Sequence, residues 1–440
     1  MSRHPSRAVV AAFLLAVLVG AALLELPISA RSGHTQVVTA LFTATSAVCV
    51  TGLTTVDTAA HWTVFGQVVI MVLIQVGGFG IMTMASLLGL LVSHRIGLRS
   101  RLTVAAESRT AGGLGDVGSV LRGVIKVTVV MEAGCAILLA GRFYLGYHEP
   151  LEHAAWLGVF HAVSSFNNAG FALYPDSLLS FVSDPWVCLP IAATVIIGGL
   201  GFPVLFELRR RLRRPRTWSV HTKLTLAMTL ALLVAGTVFI TANEWTNPAT
   251  LGELPPADRL LAGNFQAVMP RTAGFNTLDY AEMNRGTWLA TIVLMFIGGG
   301  SASTAGGIKV TTFVVLFFAL VAEVRGEESV NAFDRQISAR VQRQALTVAL
   351  LSMAAIVAAS LLLVELTKSD LAQILFEATS AFATVGLSTG LTPTLPPLAQ
   401  MVLAFLMFLG RLGPVTLVSA LALRDRQRLY RLPEGRPLIG

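Results

Sequence analysis

Four short segments of this chain could take over the water shell of a dehydrated cation. They are Cys49–Val50–Thr51–Gly52–Leu53, Asn167–Asn168–Ala169–Gly170–Phe171, Arg271–Thr272–Ala273–Gly274–Phe275 and Thr384–Val385–Gly386–Leu387–Ser388. Each carries a pair of small, polar or β-branched residues, then a glycine, then a large apolar residue. Each follows a helix-like stretch: 36–48, 151–166, 257–270 and 371–383. Backbone at membrane depth must be hydrogen-bonded or must line water. An extended segment after a half-helix can aim a row of carbonyl oxygens at an axis. Four such rows replace the hydration shell of a potassium ion. Carbonyls that point one way need alternating backbone conformations, some at positive φ, which glycine adopts without penalty. The candidate filter residues are Cys49, Val50, Thr51 and Gly52; Asn168, Ala169 and Gly170; Thr272, Ala273 and Gly274; and Thr384, Val385 and Gly386. One Ala-Gly-Phe alone would read as a helix-packing glycine. Four copies at matching positions change that balance.

The elements that would position these turns must sit in lipid. Hydrophobic residues make up 54% of the 440 and charged residues 13%, against about 25% charged in soluble domains. The clearest apolar runs are 8–24, 63–92, 224–242 and 347–364, long enough to approach or exceed the ~20 residues a helix needs to cross a bilayer. None alternates at period two, which argues against a lipid-facing barrel. The same layout recurs along the chain without a cleavage site, so the first run reads as a span rather than a leader. Cys49, Cys135 and Cys188 lack metal-ligand spacing and suggest no disulfide framework.

The net charge of +8 is distributed as topology, which argues against a nucleic-acid partner. Arg3 and Arg7, Arg95 to Arg109, Arg209–Arg210–Arg211 with Arg213, Arg214 and Arg216, Arg325 to Arg343, and Arg424 to Arg436 occupy alternate breaks. The other breaks are richer in acids, among them Asp57, Glu149, Asp176, Asp184, Glu253 and Asp279. This is the positive-inside pattern, with both termini cytoplasmic.

Between basic loops the chain goes out and returns four times, with a period of about 110 residues. The expected fold is an all-α polytopic membrane protein. Four pseudo-symmetric units of outer helix, pore helix, filter turn and inner helix surround one pore. The units are 1–95, 96–216, 217–330 and 331–440, the last with the cytoplasmic tail. Thr45–Ser46–Ala47, Ser164–Ser165–Phe166 and Thr379–Ser380–Ala381 agree ahead of three of the turns.

The third inner segment is different. From Arg285 to Glu323 one helix would run about 57 Å at ~1.5 Å per residue. Its middle holds Gly298, Gly299, Gly300, Ser301, Ala302, Ser303, Thr304, Ala305, Gly306, Gly307, Ile308 and Lys309. Glycines at that density do not make a stable helix. Two half-helices, 287–297 and 310–322, joined by a loop at membrane depth are expected. The loop belongs below the filter, where it would obstruct the ion path. A phosphate cradle is the competing reading, but the Walker spacing is missing. Lys309 reads either as a cytoplasmic-side anchor or as a gate charge. Arg411, in Gly410–Arg411–Leu412–Gly413–Pro414, is an intramembrane charge and a functional candidate by default. It faces the permeation path, or it snorkels or pairs with a carboxylate such as Glu132 or Glu377. His161 reads as a packing or hydrogen-bonding residue.

The second, third and fourth turns resemble the filter sequences of the TrkH/TrkG/KtrB superfamily of bacterial potassium transporters, and the resemblance covers essentially the whole chain. The compact length is closer to KtrB. Cys49 departs from the hydroxyl or small residue expected at its position, and each turn lacks the second glycine of the TVGYG pattern. The resemblance implies potassium as the transported ion, with sodium as the second candidate, and no organic cofactor in this chain. It further implies a homodimer in the bacterial cytoplasmic membrane, a separate nucleotide-binding RCK-type subunit docked on the basic loops, and gating by 298–309 with Arg411. A less selective sodium/potassium channel or symporter is the alternative. An inverted-repeat transporter would need opposite topologies, whereas all four units start in the cytoplasm. No aspartate pair for an intramembrane enzyme lies within the spans, so no catalytic residue is expected.

Overall fold

The computed structural model describes residues 5–94, 117–333 and 335–413. The first basic loop, Arg95 to Arg109, and the tail arginines lie outside the described residues. The 95/96 unit boundary lies there too.

The chain repeats outer helix, pore helix, turn, inner helix four times. The outer helices are Pro5–Glu25, Val117–Gly146, Val220–Glu244 and Ala339–Thr367. The pore helices are Val37–Val48, Leu151–Phe166, Pro256–Val268 and Leu371–Ala383. The inner helices are Val64–His94, then Pro185–Leu200 with Phe202–Arg211, then Arg285–Phe296 with Val310–Val324, then Pro397–Leu412. Leu121–Gly146, Val220–Glu244 and Ala339–Thr367 are long and apolar enough to cross a membrane. The expected half-helices and the break in the third inner segment are present within one or two residues.

The pore helices are short and sink toward their C-terminal ends. In the fourth, every residue from Phe376 to Ala383 is buried. In lipid, helix association depends on close packing more than on apolarity. Small residues allow it: a Cβ on Gly158 of the second pore helix would lie 2.7 Å from the Ala136 carbonyl oxygen of its outer helix. Because all four pore helices end just before their turns, the negative ends of their dipoles face the turns.

The second inner helix bends by 99° at Gly201, which has φ 95°. The following residues, Phe202 and Pro203, start a new helix whose last turn is Arg209–Arg210–Arg211. Nothing in the apolar run 185–200 marks this bend in advance. Beyond the third inner segment, two-residue strands Asn331–Ala332 and Arg335–Gln336 pair antiparallel, with Asn331 opposite Gln336.

Candidate functional site: a ring of four turns and the loop beneath it

Each turn has positive φ at its glycine and again two residues earlier. The values are 55° and 91° at Val50 and Gly52, and 58° and 73° at Asn168 and Gly170. They are 75° and 73° at Thr272 and Gly274, and 50° and 93° at Thr384 and Gly386. The alternation required for aligned carbonyls is therefore present in every copy. At Val50, Thr272 and Thr384 a β-branched residue occupies the left-handed region, a conformation costing on the order of 1–3 kcal/mol that only a tight surround maintains. Cys49 stands apart. It caps the first pore helix in the right-handed region, and its buried side chain packs with Phe42, Leu53 and Leu403.

The turns close into one ring in chain order. A Cβ on Gly52 would lie 2.2 Å from the Ala169 oxygen, and one on Gly170 would lie 2.7 Å from the Ala273 oxygen. The same construction puts Gly274 2.3 Å from the Val385 oxygen and Gly386 2.1 Å from the Thr51 oxygen. Each glycine thus abuts the carbonyl that precedes the next copy's glycine. The serines ahead of three turns hold them in place. Gly52 N–H donates to Ser46 Oγ and Gly386 N–H to Ser380 Oγ, both at 3.1 Å. Ser164 Oγ donates to Phe171 O at 2.8 Å. The third copy has Val268 at that position.

On one side the ring opens into a cavity of about 290 Å³ lined by the glycines of all four turns. Asp57, Asp176 and Asp279, one from each of the first three copies, also line it; Ser388, Gly390 and Pro393 line it in the fourth. Glu377, buried under that fourth rim, accepts hydrogen bonds from Ser388 Oγ at 2.7 Å, Thr389 N at 2.8 Å and Thr392 Oγ1 at 2.5 Å.

On the other side lies the glycine loop. Its base is a parallel bridge between Ile297 and Ile308, with Gly298 N–H donating to Ile308 O and Val310 N–H to Gly299 O, both at 2.9 Å. It threads against the second inner helix, with Gly300 N–H 2.7 Å from Gly199 O and Thr304 N–H 3.3 Å from Gly198 O. It meets the residues two positions before the turn glycines of the second and fourth copies. Thr304 Oγ1 donates to Asn168 Oδ1 at 2.9 Å. A Cβ on Gly306 would lie 1.9 Å from Thr384 Oγ1.

Arg411, 4% exposed, bonds one backbone oxygen of this loop and one of the first inner helix. One terminal nitrogen donates to Thr304 O and the other to Gly77 O at 3.0 Å. It therefore does not use Glu132 or Glu377. Glu132 accepts from Gln75 Nε2 and from Asn167 Nδ2, both at 3.1 Å. Lys309 donates to Ala305 O and Gly306 O of its own loop. Both His161 ring nitrogens are engaged, with Leu157 O and Leu173 N, as expected of a hydrogen-bonding residue.

Two features escaped the sequence reading. The inner helices share a glycine-x-x-small pattern: Gly77–Gly80, Gly198–Gly201, Gly298–Ser301 and Gly410–Gly413. A Cβ on Gly77, Gly198 or Gly410 would fall 2.0, 2.1 or 1.6 Å from the carbonyl oxygen of Val48, Phe166 or Phe382, at the end of its own pore helix. Arg411 stands where Gly78, Gly199 and Gly299 stand in the other copies. Periodicity at the repeat length was the available signal. The second feature is Arg271, whose burial has no local sequence cue.

Fold and site together define a membrane protein with four pseudo-symmetric pore-lining units and a closed carbonyl ring. The chain belongs to the TrkH family of cation transport proteins, whose profile it matches over residues 2–428. It is 42% identical over 436 residues to the Ktr system potassium uptake protein B of Bacillus subtilis, covering 99% of this chain and 97% of that one. It is 38% identical over 437 residues to the protein of the same description from Vibrio alginolyticus, covering 99% and 94%. It is 36% identical over 446 residues to the potassium/sodium uptake protein NtpJ of Enterococcus hirae, covering 99% and 97%. The fold matches the crystal structure of the potassium transporter TrkH from Vibrio parahaemolyticus with a TM-score of 0.76 at 18% identity, covering 96% and 86%.

Proposed function

We propose that this chain is a potassium-uptake subunit of the bacterial cytoplasmic membrane. The observation that carries the reading is the closed ring in which Thr51, Ala169, Ala273 and Val385 each present a carbonyl oxygen to a neighbouring glycine. Cations gather in the acidic vestibule, shed water at the ring and pass inward. The inside-negative potential drives them with about 2.3 kcal/mol per charge per 100 mV. The names of the Bacillus and Vibrio relatives support potassium as the cargo.

The loop 298–309 is the gate. It lies against Asn168 and Thr384 under the ring, and Arg411 fastens it to the first inner helix. Opening requires those carbonyls to leave the guanidinium. The positive-inside pattern supports a cytoplasmic location for both termini and the basic loops. There we infer a homodimer and a nucleotide-binding RCK-type subunit docked near Arg209–Arg216, with unit boundaries at 95/96, 216/217 and 330/331. The relatives described as parts of a Ktr system support such an assembly.

One observation favours a second reading, a sodium- and potassium-permeable pathway. Each turn has a single glycine and few fixed carbonyls, and the Enterococcus relative is described as a potassium/sodium uptake protein. Rubidium uptake into vesicles containing the purified protein, competed with potassium or sodium, separates the two. Stronger competition by potassium supports the first reading, and equal competition refutes potassium selectivity.

A further inference from the structure

Arg271 opens the third filter turn and is only 7% exposed. It does not line the vestibule. Its guanidinium instead turns toward the outer helix and the loop. It donates to Thr229 O and Thr229 Oγ1, each at 3.2 Å, and to Gly298 O at 3.4 Å. No carboxylate pairs with it among the described residues. A buried guanidinium without an acid is costly at membrane depth and calls for a function.

The other copies show what Arg271 replaces. Three residues before the filter glycine they carry Cys49, Asn167 and Ala383, none of them charged. Each of those copies has a glycine of its inner helix seated on the carbonyl at the end of its pore helix. Each also has a serine that hydrogen-bonds the turn. The third copy has neither. Its inner helix is opened at that level, Gly298 packs against its own loop's Gly306 and Ile308 oxygens, and Val268 stands in place of the serine.

We propose that Arg271 is a positioning residue that latches the base of the gate loop to the third filter turn, a role that rests on the gate reading above. The loop is thereby held at two points by two cations. Arg271 holds Gly298 at the base, and Arg411 holds Thr304 at the middle. With the base latched, movement is confined to the stretch beyond Gly299, and the filter turn feels that movement through one side chain.

The test uses the full chain in proteoliposomes. Ser301, which is half-buried, is replaced by cysteine as a reporter; the native Cys49, Cys135 and Cys188 are buried and add little background. A charged methanethiosulfonate is added to both faces, and basal rubidium flux is measured in parallel. Arg271→Met should raise both the Ser301→Cys labelling rate and the basal flux by roughly tenfold, the effect of losing a charge-assisted hydrogen bond. Arg271→Lys should fall between Arg271→Met and the parent. Rubidium–sodium competition should move with the flux, which simple loss of packing would not produce. Parental labelling and flux in a folded Arg271→Met protein overturn the latch. If Arg271→Met does not fold, parental values for Arg271→Lys overturn it. Arg411→Ala in the same background separates the two readings. Raised flux there with no response to Arg271 replacement leaves the gate standing and removes the latch. Raised labelling in Arg271→Met without raised flux in Arg411→Ala shows that Arg271 tethers the loop but overturns the gate, and with it the latch as a part of gating.

Discussion

The Arg411 guanidinium bridges Gly77 O, 3.0 Å away, and Thr304 O on the loop under the filter. Residues 334 positions apart in sequence are thus joined through one side chain. Gly77 belongs to the first inner helix, Thr304 to the third inner segment and Arg411 to the fourth. Three of the four repeats meet at this point, and the guanidinium is one of several tethers on the loop, beside the bonds of Gly300 and Thr304 to the second inner helix.

Removing the donor should free the loop. Arg411→Ala should raise basal rubidium flux by roughly tenfold, on the scale of a hydrogen bond to a charged group. Arg411→Lys should recover part of the closure, because one ammonium cannot serve both carbonyls in the same fork geometry. Vesicle flux assays on matched amounts of protein provide the check, and unchanged flux in Arg411→Ala would contradict the gate.

The ring makes a steric prediction. Alanine at Gly274 would place a Cβ 2.3 Å from the Val385 oxygen, far inside van der Waals contact, and would force φ 73° on a residue that disfavours it. Gly274→Ala should weaken discrimination between potassium and sodium before it abolishes folding. The competition ratio for rubidium uptake should fall toward one. Gly33, whose added Cβ meets nothing within 4 Å, serves as the control position.

The fourth rim depends on a buried acid. Glu377 holds Ser388, Thr389 and Thr392, so Glu377→Ala leaves several polar groups unpartnered. A loss of about 2–4 kcal/mol is expected. Unfolding in mixed micelles should show it, with Glu377→Gln closer to the parent.

The vestibule acids should act on capture rather than passage. Asp57 and Asp279 each cap a short helix, through Ala59 N and Ala60 N in one case and Ala281 N in the other. Their replacement therefore also costs about 1 kcal/mol of stability. Asp176→Asn is the cleaner variant. It should raise the apparent KM for rubidium several-fold at low ionic strength and little at high ionic strength, with the maximal rate unchanged.

Much of this architecture was legible because it is repeated. The pore helices Leu151–Phe166 and Leu371–Ala383 coincide with the helix-like runs, and the loop between Phe296 and Val310 stands where the glycines crowd. Arg411 was legible because a charge inside an apolar run is costly wherever it points. The rest depended on spatial partners. Nothing near Asn168 in the chain signals Thr304, 136 positions away. Arg271 looks like an ordinary turn residue until Thr229 and Gly298 are seen around it. The left-handed residue two before each glycine was hidden because Val50, Thr272 and Thr384 have no intrinsic preference for that conformation; the ring imposes it. The bend at Gly201 was hidden within an apolar run.

The four turns are expected to bind the transported cation through backbone oxygens. The most direct measurement is a crystal structure of the full chain grown in rubidium, with anomalous scattering recorded at the rubidium edge. A peak on the ring axis, coordinated by the Thr51, Ala169, Ala273 and Val385 oxygens and reduced by excess potassium more than by excess sodium, is the predicted result. A transport-competent protein whose peaks lie only in the vestibule, or which sodium displaces as readily as potassium, would contradict it.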